Sequence, residues 1–253
     1  MCLIVWAWQV HPRYPLILLA NRDEFKQRPT TPLHPWPTDP LIYAGQDEVQ
    51  GGTWLGITPL GRWAAVTNFR APGEKAAPLS RGWLVRDFLL QNTSPEDFIL
   101  NLEPELYAGF NLLLGTPDEV CWFSNRGGAY RRLTPGLYGV SNALLDTPWP
   151  KLLNAKAGLE NHLSEADPDP AALLNLMQNT DPYPDETLPQ TGVGPELERS
   201  LAPIFIPGER YGTRSTTLLR QNSTSQTLLI ERSYLPTGMS ETALQFEVLG
   251  SGS

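Results

Sequence analysis

Six residues carry most of the chemistry this sequence offers, and the first stands at position 2. Cys2 follows Met1 at the head of the apolar run MCLIVWAWQV. Once Met1 is removed, Cys2 bears a free α-amino group beside its thiol. An α-amine titrates at ~7.7–8.0 and a thiol at ~8.5, so the amine can take the thiol proton near neutral pH, directly or through water. One residue then supplies nucleophile and base. The structural alternative is a small hydrophobe at the start of a buried strand, a common use of free cysteine. Cys121, in EVCWFS, has only that second reading.

Arg22, Asp23 and Glu24 are consecutive charges in NRDEF, at the end of an apolar stretch. If residues 2–10 and 15–20 form a hairpin, Arg22 and Asp23 fall beside Cys2. A guanidinium there lowers a thiol pKa, and a carboxylate can hold the α-amine. Alternation along a strand lets only one of the two face the thiol directly. Asn68 in AAVTNFR and Asn142 in YGVSNAL each end an apolar strand, where a neutral amide can steady an oxyanion or simply make a turn. Arg214, in YGTRSTTLL, opens a late strand and can bind a carboxylate or serve as an ion-pair partner.

Other chemistries lack their motifs. GxSxG, P-loop, HExxH and GxGxxG patterns are missing from the sequence. His11 and His34 lie in proline-flanked turns and His162 in a helix, and all three read as surface residues. A thiol nucleophile therefore needs a base other than histidine.

The elements that must position these residues are mostly strands. Residues 2–10 read as a strand buried on both faces, HPRYP as a turn, and 15–20 as a second strand. A proline-rich loop is expected over 29–40. TWLGITPLGRWAAVTNFR reads as two strands about a PLG turn. A helix starts after Ser80, its N-cap, with Leu84, Val85, Phe88 and Leu89 on one side. A short helix follows Ser94 and Pro95. Strands return over 110–141, helices over about 149–164 and 169–178, and a loop-rich stretch over 179–211. Three strands close the chain, near 212–220, 227–234 and 241–248, before a tail at 250–253 expected to be disordered. Antiparallel hairpins with grouped helices make an α+β chain, expected as a single domain over 1–253.

Composition narrows the classes. The 253 residues are 41% hydrophobic and 18% charged, with eight tryptophans, which places the chain among folded globular proteins. A formal net charge of −8 supplies no basic footprint for nucleic acid. The apolar start has no basic n-region, and no stretch nears the ~18 apolar residues of a membrane span. Two cysteines make neither a disulfide scaffold nor a zinc site. The expectation is a cytoplasmic protein with no cofactor, acting on a small-molecule substrate or holding an apolar ligand. The tryptophan-rich segments HPWP, GGTWLG and GRWAAV are candidates to line such a ligand site, with core packing as their other use.

Taken in order, MCLIV, LLANRDEF, GGTWLG, AVTNFR, GVSNALLDTPWPK and YGTRST resemble the NRDE family, also called the transport and Golgi organisation 2 family, over about residues 1–235. That family is similar to the N-terminal nucleophile hydrolases of the penicillin V acylase and bile salt hydrolase type. The resemblance implies a four-layer αββα sandwich and attack of a processed N-terminal cysteine on a linear amide. Carried over, Cys2 matches the nucleophile, Arg22 the first arginine, Asn68 the oxyanion asparagine, Asn142 the second asparagine and Arg214 the late arginine. Those hydrolases place their aspartate three residues after the arginine, where this chain has Phe25, so Asp23 takes that role here, with Glu24 as the substitute. The resemblance also leaves open a non-catalytic protein that binds or traffics haem or lipid on the same fold.

Overall fold

The computed structural model describes residues 2–73 and 76–249. Met1 and the expected disordered tail at 250–253 lie outside them. In chain order the strands are β1 (Cys2–Trp8), β2 (Leu16–Phe25), β3 (Thr30–Trp36), β4 (Ile42–Asp47), β5 (Leu55–Ile57) and β6 (Trp63–Asn68). They continue as β7 (Phe110–Gly115), β8 (Val120–Ser124), β9 (Arg131–Arg132), β10 (Gly136–Val140), β11 (Tyr211–Gln221), β12 (Gln226–Leu235) and β13 (Gly238–Glu247). The helices are α1 (Arg81–Leu90), α2 (Pro95–Leu100), α3 (Pro150–His162), α4 (Pro170–Leu176) and α5 (Pro195–Ser200).

The strands form two antiparallel sheets, ordered β10-β1-β2-β11-β12-β13 and β3-β4-β5-β6-β7-β8-β9. Apolar side chains appear on both faces of the central strands because each sheet is covered twice. Alternation sends Ile4, Trp6, Leu16 and Leu18 inward, where they meet Leu55, Ile57, Trp63 and Leu113 of the second sheet. The intervening Leu3, Val5, Ile17 and Leu19 point outward to Leu152, Ala155 and Leu159 of α3 and Leu173 of α4. On the other side Ala64, Val66, Leu112 and Leu114 meet Leu84, Val85, Phe88 and Leu89 of α1. The result is the expected αββα sandwich. Each fully buried leucine or isoleucine side chain contributes roughly 1.5–3 kcal/mol by leaving water.

Helix starts follow local sequence. Ser80 accepts a hydrogen bond from the Gly82 N–H, and Ser94 from the Asp97 N–H ahead of Pro95. The expected loop over 29–40, the turn placement of His34 and the surface placement of His11 are corrected. Residues 30–36 form β3 despite Pro32 and Pro35, because β3 is an edge strand, where a missing N–H leaves no ladder bond broken; its register shifts between Thr31 and His34. His34 thus sits in a strand. Pairing with β1 as far as Arg22, and with β11 alone beyond it, carries β2 through NRDEF to Phe25. The stretch 179–211 holds α5. His11 is buried, not superficial. Its Nδ1 accepts the N–H groups of Arg13 and Tyr14, both at 3.1 Å. Its Nε2 therefore carries the proton and donates to the Glu165 carbonyl at 2.8 Å. No helix among the described residues is long and apolar enough to cross a membrane.

Candidate active site

The site lies where β1 begins. Cys2 is paired with Arg22, Arg22 with Ser215 and Ser215 with Ser233, so one row crosses four strands of the first sheet. Cys2 and Arg22 share the parity of Ile4 and Ala20 and face the second sheet. Asp23 shares the parity of Leu19 and faces α3. Of the two charges, alternation thus gives Arg22 to the thiol side. Asp23 still reaches the sulfur through its backbone N–H, which lies against the thiol and favours the thiolate. Burial acts more strongly and pushes the Cys2 thiol up, the Asp23 carboxylate adds to that, and Arg22 pulls it down by less.

A cleft of about 360 Å³ opens beside Cys2. Its walls include Arg22, Glu24, Arg28, Asp47, Trp54 and Asn68, and the first turn of α1 at Ser80–Gly82. Arg28 donates to Asp47 through Nε and Nη2, at 3.0 and 2.7 Å. Glu24 accepts the Phe25 N–H at 2.8 Å and lies 4.0 Å from Arg28. The Arg22 guanidinium stacks on Trp54, 4.2 Å from the ring centroid. Trp54 alone of the tryptophans proposed to line a ligand site borders this cleft; Trp36 and Trp63 are core residues. Phe25 is exposed, its ring edge-on to Tyr211.

The two asparagines divide their work. Asn68, at the end of β6, borders the cleft. Asn142 is buried, and its Nδ2 donates to the Asn68 carbonyl at 2.7 Å. Ser141 Oγ donates to the Cys2 carbonyl at 3.0 Å, and Thr67 Oγ1 to the Ser141 carbonyl at 2.6 Å. The turn after β10 thus fastens the Cys2 end of one sheet to the Asn68 end of the other. Asn142 is a positioning residue and does not itself border the cleft. Arg214 lies at the β-bulge between Thr213 and Ser215. Its Nη1 donates to the carbonyls of Phe25, Lys26 and Arg28, each at 2.9 Å, which shapes the turn carrying Arg28. It too stands behind the cleft.

Asp23 is held on the outer face. Thr213 Oγ1 donates to its Oδ1 at 2.7 Å, and Tyr211 donates to its carbonyl at 3.0 Å. Burial pushes the Asp23 carboxyl up, and the charge of Lys151 and the Thr213 bond draw it down. Lys151, in the first turn of α3, donates to the Leu201 carbonyl at 2.9 Å. Burial lowers its pKa to about 8 against the pull of Asp23. Beside it Arg70 and Glu198 form a buried ion pair at 2.5 Å. The sequence reading left out Lys151, although it ends the family-like segment GVSNALLDTPWPK, and Glu231, for which no local signal exists. No cluster of three or more His, Cys, Asp or Glu among the described residues could hold a metal ion.

Two facing antiparallel sheets between helix layers, with the first residue of an inner strand opening on a cleft, are the architecture of the N-terminal nucleophile hydrolase fold. A solved N-acylethanolamine-hydrolyzing acid amidase ortholog of Caenorhabditis elegans is similar in fold, with a TM-score of 0.53 at 9% identity over 86% of this chain and 92% of that one. Within that fold the chain belongs to the Transport and Golgi organisation 2 family, whose sequence profile matches residues 1–236. It is similar to the Transport and Golgi organization protein 2 homolog of Homo sapiens, at 35% identity over 265 residues and 95% of each chain. It is also similar to the Transport and Golgi organization protein 2 of Drosophila melanogaster, at 28% identity over 263 residues and 91% of each chain.

Proposed function

We propose that this protein is an N-terminal cysteine hydrolase acting on a linear amide bond of a small molecule. The observation that carries the reading is Cys2 at the edge of an open cleft, paired with Arg22 and sharing that cleft with Asn68. The solved fold neighbour is named for hydrolysing N-acylethanolamines, an amide-cleaving activity that agrees with this reading.

Removal of Met1 frees the Cys2 amine, which takes the thiol proton. The thiolate sulfur attacks the amide carbon and the carbonyl π pair moves to oxygen. Asn68 and a backbone N–H steady that oxyanion. The intermediate collapses, the C–N bond breaks, and the ammonium of Cys2 gives its proton to the leaving nitrogen. Water, deprotonated by the same amine, then attacks the thioester carbon; the C–S bond breaks, the carboxylic acid leaves, and the ammonium returns its proton to the Cys2 sulfur. Arg22 and Asp23 orient the nucleophile, and Asn142 and Arg214 hold the parts that carry Asn68 and Arg28. Charged and polar side chains dominate the cleft, and no observation there favours a haem or lipid ligand over a polar amide.

Intact mass of the protein from its natural host tests the first step. Turnover of a panel of linear amides by the processed protein and by Cys2→Ala tests the rest. Equal turnover by both, or retention of Met1 in an active sample, overturns the proposal.

A further inference from the structure

We infer that Glu231 is the counter-ion that positions Arg22, and through Arg22 sets the reactivity of Cys2. Arg22 is only 6% exposed, and its Nη1 is buried with no hydrogen-bond partner among the described residues. A buried guanidinium needs compensating charge. Trp54 supplies a π-face on one side. Behind lies a crevice of about 10 Å³, bordered by Arg22, Trp54, Arg214, Ser215, Glu231 and Ser233. Glu231 is the one carboxylate among its lining residues. Arg214 adds a second positive charge there, already engaged by three carbonyls.

Register explains the placement. Ile4 pairs with Ala20, Ala20 with Thr217 and Thr217 with Glu231. Glu231 therefore stands one row further into the sandwich than Cys2 and Arg22, on the same inner face as Leu229. Its Oε1 accepts the Leu33 N–H of β3 at 2.8 Å and the Ser233 hydroxyl at 3.2 Å. A bond from the opposite sheet thus fixes the carboxylate. Burial raises the Glu231 carboxyl, while the Leu33 N–H, Ser233 and the charge of Arg22 hold it down. The other charges around this end are Asp23 and Glu24 from β2, Lys26 and Arg28 from the turn after it, Asp47 from β4, Arg81 at the start of α1, Lys151 at the start of α3 and Arg214 from β11; Asn68, Ser141 and Trp54 close it without charge. Glu231 touches neither thiol nor cleft, so it is a positioning residue.

The functional meaning rests on Cys2 as nucleophile, but the test needs no substrate. The full chain is labelled with iodoacetamide across a pH series, and the Cys2 peptide is read by mass, apart from Cys121. Glu231→Gln keeps an acceptor for the Leu33 N–H and removes the charge. Arg22→Gln is the reference. Loss of the counter-ion releases Arg22 from the thiol, so Glu231→Gln labels about three- to tenfold more slowly at pH 7, with its midpoint moved up as in Arg22→Gln. It adds nothing in the double variant. An unchanged midpoint, or faster labelling, overturns the inference. Should Glu231→Gln not fold, Ser233→Ala removes one bond to the same carboxylate; a smaller upward shift is expected and none overturns it. A Glu231-dependent profile in a protein that cleaves no amide would defeat the hydrolase reading and leave this one standing.

Discussion

Cys2 and Arg22 face each other across the first hairpin, on the side of the sheet that meets the second sheet. The guanidinium, stacked on Trp54, is the cation paired across from the thiol on that face. Arg22→Lys keeps the charge but loses the planar stack. Its Cys2 is expected to label at a rate between those of wild type and Arg22→Gln, measured by stopped alkylation at fixed pH. A rate below that of Arg22→Gln would show that the stack, not the charge, matters.

Asn142→Ala removes the donor of a part-buried hydrogen bond to the Asn68 carbonyl. A loss of about 1–3 kcal/mol in unfolding free energy is expected from urea titration. Because Asn68 then loses its fixed place, kcat on any amide substrate should fall more than KM rises. A variant as stable and as active as wild type would remove Asn142 from the positioning scheme.

Lys151 makes a pH prediction with a definite sign. Its folded pKa is about 8 against 10.5 for the exposed group. Between those values the unfolded chain binds more protons, so stability from this group rises with pH across that window. Below pH 8 both states carry the proton and the contribution is flat. Relative to Lys151→Met, wild type should therefore gain up to about 3 kcal/mol between pH 8 and 10.5. Thermal melts of both proteins through that range give the slope, and parallel curves would contradict it.

Arg214→Ala leaves three carbonyls of the turn after β2 without their shared donor. Amide exchange over residues 25–28 is expected to quicken by at least about tenfold, with β12 and β13 unaffected. Because Arg28 and Asp47 depend on that turn, the cleft wall should loosen with it. Unchanged exchange would mean that the turn is held by other bonds.

The parts legible in the sequence share one property: their signal is local. Leu84, Val85, Phe88 and Leu89 mark the buried side of α1 because four residues at helical spacing suffice to define a face. That Arg22 and Asp23 fall beside Cys2 followed from two apolar runs and a short turn; that Arg22 is the one paired with it needed the register. Asn68, Asn142 and Arg214 were found as residue types at strand ends. Their division into one residue at the cleft and two behind it was not, because it depends on which carbonyls come within reach after folding. Glu231 lies 209 positions after Arg22 and borders the same crevice only through strand order. Pro32 and Pro35 misled for the opposite reason: their local signal is strong, and only the position of β3 at a sheet edge overrides it.

That edge has a consequence for life among other chains. An open sheet offers unpaired backbone groups to any passing strand. In the second sheet, Pro32 and Pro35 interrupt the donors along β3, and at the far side β9 is only the exposed pair Arg131–Arg132. Neither margin can template a new partner. In the first sheet the longer margin is β13, ten residues that include Glu241 and Glu247. Self-association by strand addition, and the fibrous aggregation that grows from it, is thus discouraged on the side of the molecule that carries the cleft wall and is guarded by charge on the other.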